Sequence, residues 1–167
     1  MKRDVSIESM NELLFGVENE GSGTIKDPIF GTLHNAISSS YNGYLDIDWW
    51  PGKKSIKLTT RIHNGKVDID AHLAYIDYIH DEHGIDNLLK IGIPKLITMI
   101  KQQGDYGDTE PTVSNFHKLV DLTTILFLGG GHSEWGIIFE SPMAEEHGFC
   151  IYSTDRTIKV GDANDML

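Results

Sequence analysis

Histidines with nearby carboxylates are the residues of this chain that could most readily do chemistry, because together they can bind a metal ion. The sequence has 167 residues and eight histidines, and His80 and His83 stand three positions apart near the end of a predicted helix. Imidazoles at this spacing can bind zinc, with His72 two turns earlier as the candidate third ligand. Three acidic side chains lie beside the pair: Asp77, Asp81 and Glu82. Charged residues at a helix end are more often only solvated, so the sequence favours no metal site. A metal-dependent hydrolase of unknown substrate stays an alternative.

Two more histidines stand in predicted loops near the C-terminus, where polar side chains could converge into a hydrolytic site. The two segments are His132-Ser133-Glu134 and Glu145-Glu146-His147. Polar residues are the ordinary content of surface loops. This version of the hydrolase alternative therefore carries no more weight than the first.

The lone cysteine, Cys150, does not have the surroundings of a catalytic nucleophile. It stands between Phe149 and Ile151 in an acidic stretch, whereas a reactive thiol needs a base and an electropositive, exposed setting. A single cysteine allows no internal disulfide, which is typical of a reducing compartment. The glycines at 129–131 are not followed by the Lys and Ser/Thr of a phosphate loop. The sequence thus predicts a protein that is not an enzyme and has no cofactor.

Acidic residues exceed basic ones, and the excess is uneven along the chain. The net charge is −11; residues 1–103 carry 14 acids and 11 bases, and residues 104–167 carry 11 acids and 3 bases. This balance argues against nucleic acid or an anionic membrane as the partner. It permits a basic protein partner such as a nuclease, although acidity can also serve solubility alone.

The N-terminus carries two basic residues but no apolar core of a signal peptide, because Glu8 and Glu12 interrupt the segment. No apolar run approaches the ~20 residues that span a bilayer. We therefore expect a cytoplasmic protein.

The order of the predicted elements indicates an α+β fold. The predicted strands lie near residues 30–34, at 43–50 and 55–63, and, as three or four antiparallel strands, over 122–160. The predicted helices are 6–15, 68–83, 85–103 with Pro94 inside it, and 113–121. Strands, then helices, then strands form segregated runs, which favour an antiparallel sheet packed with a central helical segment. Residues 125–128 and 135–139 are apolar on both faces, which predicts central strands that are covered on both sides. Residues 1–26 are assigned to an N-terminal helix and linker, and residues 27–167 to one domain.

Two neighbouring tryptophans receive opposite assignments from strand alternation. Trp49 falls with the core set, and Trp50 falls with the polar set beside Asp46 and Asp48. An exposed tryptophan next to carboxylates is typical of an interface anchor, although a loop could instead cover it. If residues 43–50 and 55–63 form a hairpin, the two aspartates are expected opposite Lys57 and Arg61.

The chain resembles a widespread bacterial domain of unknown function. The residues that carry the resemblance are Asp27-Pro28-Ile29-Phe30-Gly31, Glu146-His147-Gly148 and Gly161-Asp162-Ala163-Asn164-Asp165. They match an opening Asp-Pro-x-Phe-Gly motif, a Glu-His-Gly turn between late strands and a Gly-x-x-Asp type tail. The resemblance covers about residues 27–167, and the glycines at 129–131 and Pro94 depart from it.

Genes for similar small acidic proteins often lie beside those of polymorphic or contact-dependent toxins, so the resemblance implies an immunity protein. Such a protein would bind the C-terminal toxin domain in the cytosol and block it sterically and electrostatically. The residues expected to bind the toxin are Trp50, Asp46, Asp48, Glu134, Glu140, Glu145, Glu146 and Asp155. Another alternative is a homo-oligomeric domain with no toxin partner.

Overall fold

The computed structural model describes residues 23–104, 106–128, 134–143 and 148–166. The predicted helix 6–15, the predicted turn at 129–131 and the site candidates His132, Glu145, Glu146 and His147 lie outside the described residues. The first described strand already begins at Thr24, so the sheet starts just before the predicted domain boundary at Asp27.

The described residues form an α+β structure in which one mostly antiparallel sheet carries two main helices. The strands are β1 Thr24–Asp27, β2 Gly31–Ile37, β3 Ser40–Asp46, β4 Ser55–His63, β5 Lys66–Val67, β6 Asp121–Leu128, β7 Glu134–Glu140, β8 Phe149–Thr154 and β9 Thr157–Asp162. The helices are α1 Ile69–Ile79, α2 Ile85–Gln103 and the single turn α3 Phe116–Leu119, and a 3-10 turn spans Ala163–Asp165. The predicted class, α+β, is confirmed.

One parallel pair, β4 with β6, joins the two antiparallel parts of the sheet. The strand order is β1-β2-β3-β4-β6-β7-β8-β9, and β5 pairs with the end of β4 and lies against β1. Parallel neighbours need a long crossover connection, and here the crossover contains all three helices. The sequence pattern predicts helices between two strand units, but it does not indicate that the units share one sheet through a parallel pair.

The predicted charge pairs between β3 and β4 are wrong, because the register differs from the expected hairpin. Asp46 lies opposite Ser55, Lys57 lies opposite Tyr44, and Arg61 lies opposite Ser40. Strand β3 ends at Asp46, and the connection to β4 is longer than a tight turn at Pro51-Gly52 would make it. Asp48 therefore has no cross-strand partner.

Helix α1 packs on the sheet through a different face from the one that its aliphatic residues predict. Ile69 and Leu73 are 50% and 48% exposed. The buried residues of this helix are Ala71, His72, Ala74, Tyr75 and Tyr78. Two tyrosine rings bury more apolar area than the aliphatic stripe, and they pack edge-on against Phe127 of β6. Asp68 is the N-cap of this helix, and its side chain accepts from the backbone N–H of Asp70.

Helix α2 runs through Pro94 as one helix, and it approaches the sheet closely. A Cβ added at Gly92 would lie 2.2 Å from Cγ2 of Ile151 on β8. Only glycine allows the helix backbone to pack this near the strand. Gly84 precedes α2 as its N-cap rather than ending α1, and Gly104, with φ of 78°, ends α2.

In the C-terminal half of the sheet, β6 to β9, the first three strands are largely buried on both faces, whereas the edge strand β9 is partly exposed. On the helix side lie Ile125, Phe127, Trp135, Ile137, Phe139, Phe149 and Ile151, which belong to the main core. On the other side Leu126, Leu128, Ile138 and Cys150 form a second cluster with Ala163 and Met166 of the C-terminal turn. The prediction that β6 and β7 are central and covered on both sides is confirmed.

Candidate functional site

One end of the sheet carries an acidic residue on four of its described strands. Asp46 ends β3, Asp121 begins β6, Glu140 ends β7 and Asp162 ends β9. The alternating strand directions bring these termini to the same end, within five strand spacings or about 24 Å. All four side chains are exposed. We call this group the acidic end.

Two carboxylates of the acidic end lie directly opposite each other, since Asp121 is the cross-strand partner of Glu140. Like charges in that position destabilise a sheet by up to about 1 kcal/mol. Lys53 offsets part of this, with its Nζ 3.1 Å from Oδ1 of Asp121. Among the described residues, neither the Asp46 nor the Glu140 carboxylate has a hydrogen bond or an ion pair. Neither carboxylate therefore makes a contact that stabilises the described part of the fold.

The Cys150 thiol is buried near this end of the sheet, close to Asp162. Burial first, and then the charges of Asp165 and Asp162, raise its pKa to about 12. The Sγ–H group donates to the carbonyl oxygen of Asp162 over 3.1 Å. The thiol is therefore protonated at neutral pH and buried, which is the opposite of the state that a nucleophile needs.

Trp50 is a core residue, so the prediction of an exposed anchor at this position is wrong. Its side chain is 7% exposed and packs on Phe139, with ring centroids 5.3 Å apart. Strand alternation stops at the end of β3, and the following loop turns Trp50 into the helix-side core. Trp49 is half-buried, and its Nε1 donates to the Tyr78 hydroxyl over 2.8 Å.

Tyr44 is the exposed aromatic residue beside the acidic end. It is 73% exposed, and it lies two residues before Asp46 on β3, hence on the same face of the sheet. Alternation along residues 43–50 already placed it in the polar set, so the signal was present in the sequence.

The other predicted partner-binding carboxylates do not join the acidic end. Glu134, half-buried, begins β7, and the six-residue rise to Glu140 separates them by about 20 Å. Asp155 is in the β8–β9 turn beside Glu134's partner Thr154, at that same far end. Asp48 is exposed in the loop after β3, and its charge adds to the burial that raises the pKa of Tyr78 to about 12.

The far end of the sheet also carries a shallow groove of about 400 Å³ between α1 and the β8–β9 turn. Leu73 and Ile76 line it with Asp77, and a guanidinium nitrogen of Arg156 lies 4.0 Å from Oδ1 of Asp77. Asp155 and Arg156 form the two-residue turn with φ of 48° and 65°. The groove is open and mixed in charge, and it lies apart from the acidic end.

The histidine pair suggested as metal ligands is engaged in local contacts. The rings of His80 and His83 stack with centroids 4.9 Å apart. Nδ1 of His80 accepts from the backbone N–H groups of Glu82 and His83, over 3.1 and 3.3 Å. Within the described ranges, no three His, Cys, Asp or Glu side chains are placed to hold a metal ion.

His72, the suggested third ligand, is buried and bonded to the opening motif of the domain. Its Nε2 donates to Oδ2 of Asp27 over 2.8 Å, and both side chains are almost fully buried. Oδ1 of Asp27 accepts from the N–H groups of Ile29 and Phe30, and Phe30 stacks on the His72 ring. The Asp-Pro-x-Phe-Gly motif is thus a structural turn that ties β1 and β2 to α1.

Comparisons with known proteins do not assign this chain to a family. A scan against protein-family models gave no match, and neither did searches of curated proteins and of solved structures. No helix in the described part of the chain is long and apolar enough to cross a membrane.

Proposed function

We propose that this protein is an immunity protein that binds a basic toxin domain through the acidic end and blocks it without catalysis. The observation that carries the proposal is the exposed pair Asp121–Glu140, in which two carboxylates face each other across neighbouring strands. A local arrangement that disfavours folding points to a role outside folding. A lysine-rich or arginine-rich surface would neutralise both charges on binding.

Tyr44 supplies the apolar component that a row of carboxylates lacks. Tyrosine is enriched at binding hot spots because it buries a large ring with little loss of side-chain entropy. Its ring and Asp46 lie on β3, and the Asp121–Glu140 pair lies on β6 and β7 with only β4 between, so one partner surface could cover them together. Tyr44 replaces Trp50 as the proposed anchor.

The partner is proposed to be a protein rather than nucleic acid, because phosphate would be repelled by the acidic end. Charge steering makes association of such pairs fast and dependent on ionic strength. The proposed place of action is the cytoplasm.

The test is co-expression of this chain with the C-terminal region encoded by the gene immediately upstream. We expect the two to co-purify and this chain to rescue growth. Replacing Asp46, Asp121 and Glu140 by Asn, Asn and Gln should lower the association rate at low salt at least tenfold. The control variant carries Glu82→Gln and Asp108→Asn, which remove two exposed charges away from the acidic end. Equal rates for the two variants, or no complex at all, would overturn the proposal.

A further inference from the structure

On β2, β3 and β4 the sheet face that lies away from the helices is open and polar. The apolar side chains of these strands, among them Leu33, Leu45 and Leu58, belong to the main core on the helix side. The residues that alternate with them along the strands are exposed or half-buried. Asp46, at the end of β3, is the only acidic residue in the three strands. We call this surface the open face.

The open face carries two basic residues on β4. Lys57 and Arg61 stand four residues apart, so they lie on the same face with about 13 Å between them along the strand. Both are exposed, and among the described residues neither has an ion pair. Beside them Asn42 accepts at Oδ1 from the Thr59 hydroxyl over 2.8 Å, which leaves its amide nitrogen as a further donor. The open face thus offers positive charge and hydrogen-bond donors.

Tyr44 lies where the charge of this surface changes sign. Asp46 of the acidic end is two residues beyond it on β3, and Lys57 is its direct cross-strand partner on β4. The Cβ atoms of directly opposed residues are only about 4.5–5.5 Å apart. A protein surface that covers the Tyr44 ring therefore also covers Lys57.

A covered ammonium group determines which chemistry the partner must supply opposite it. Taking a charge out of water is costly unless a counter-charge replaces the lost hydration. A lysine or arginine of the partner in that place would add repulsion, whereas a carboxylate would form a charge-assisted hydrogen bond with Lys57. The basic surface that suits the acidic end therefore does not suit the open face.

We propose that the partner presents both signs of charge: a basic patch that meets the acidic end, and at least one carboxylate that meets Lys57, with Arg61 next along β4. This inference rests on the proposed function and adds the chemistry of the partner's contact surface. Asp46 and Lys57 are one strand and two residues apart, so the partner's two patches adjoin within about 8 Å. Adjoining patches of opposite sign fix one orientation of the complex and reject proteins that are basic throughout.

The test measures the affinity of this chain for the C-terminal toxin region encoded by the gene immediately upstream. Lys57→Glu should lower the affinity about tenfold or more, because it removes the counter-charge of the partner's carboxylate and adds repulsion. Arg61→Glu should act in the same direction by a smaller factor. The control, Lys90→Glu, makes the same change of charge at an exposed position of α2, away from the open face. Because the partner is basic overall, this control should leave the affinity equal or slightly higher.

The sign of the effect separates the possible outcomes. An affinity of Lys57→Glu equal to or above that of Lys90→Glu would overturn the inference, while the proposed function would stand if the triple variant of the acidic end still bound more slowly. No complex with the unmodified chain would overturn both. Lys57→Gln removes the charge without adding a carboxylate and should lower the affinity by a smaller factor than Lys57→Glu. It decides the question if circular dichroism shows that Lys57→Glu does not fold.

Discussion

The two halves of the sheet are built on different plans. Strands β6 and β7 are buried on both faces along nearly their whole length, whereas β4 and the end of β3 alternate between buried and exposed residues. Residues 24–67 hold more bases than acids, and residues 121–166 hold eight acids and two bases. The C-terminal half is therefore the scaffold, and the N-terminal half presents an open polar face next to it.

The boundary between the two halves is where the proposed binding surface lies. The parallel pair β4–β6 brings Tyr44 and Asp46 of β3 to two strand spacings, or about 10 Å, from β6, which carries Asp121, and Glu140 lies on the next strand. Neither half alone presents both an exposed ring and the paired carboxylates. The connection that crosses from one half to the other thus creates the surface, and the helices within that connection leave it uncovered.

The largest expected effect is the loss of stability caused by a substitution in the core of the scaffold half, compared with one on the open face. Phe127 is fully buried and contacts the rings of Phe30, Tyr75 and Tyr78. Phe127→Ala should lower the free energy of unfolding by about 3–5 kcal/mol, measured by urea denaturation. Tyr44→Ala on the open face should change it by less than about 0.5 kcal/mol. Similar losses for the two variants would contradict the division into scaffold and open face.

The second prediction concerns the contact between Asp27 and His72, which ties the N-terminal half to the helices. Asp27→Ala removes the acceptor for His72 and for two backbone N–H groups, all of them buried. Leaving buried donors unpaired costs about 1–3 kcal/mol each, so we expect a loss of about 3 kcal/mol in urea denaturation. Asp70→Ala, in the first turn of α1, is the control and should cost under about 1 kcal/mol. An Asp27→Ala protein as stable as the control would mean that the motif does not hold β1 and β2 to α1.

How far the sequence predicts this structure also differs between the halves. In β6 and β7 hydrophobicity on both faces identifies central strands, because burial leaves little room for other patterns. In α1 the aliphatic spacing of Ile69 and Leu73 predicts the wrong face, because the aromatic pair Tyr75 and Tyr78 buries more area. Trp50 is misassigned because alternation applies only within a strand, and β3 ends before it.

Of the proposed site, Asp46 and Glu140 are predictable from composition, whereas their convergence with Asp121 is not. Local patterns contain no information about which strand lies beside which, and the parallel β4–β6 pairing spans the whole helical crossover. The sequence pattern predicts Asp121 as the last residue of a helix, and its place opposite Glu140 follows only from the register.

A third prediction concerns alkaline pH and the scaffold half. The pKa of Cys150 is raised from 9.0 to about 12, mainly by burial, and that of Tyr78 is raised from 10.0 to about 12 for the same reason. Both groups ionise more readily when the chain unfolds, so stability is fully present below pH 9 and falls as pH rises from 9 to 12. Urea midpoints measured across this range should fall, and Cys150→Ala should flatten the lower part of the curve. A midpoint that is constant to pH 12 would contradict the buried thiol.

The smallest expected effect is that of a substitution at the boundary between the halves, which should change stability and binding in opposite directions. Glu140→Gln removes the repulsion with Asp121 and should raise the free energy of unfolding by about 0.2–1 kcal/mol. If the proposed function holds, the same variant should bind the proposed basic partner more slowly, because one steering charge is lost. Glu82→Gln, exposed beside α1, should change neither quantity measurably. If Glu140→Gln were instead less stable than the parent, the carboxylate would have a structural partner, and the argument that it is retained for binding would fail.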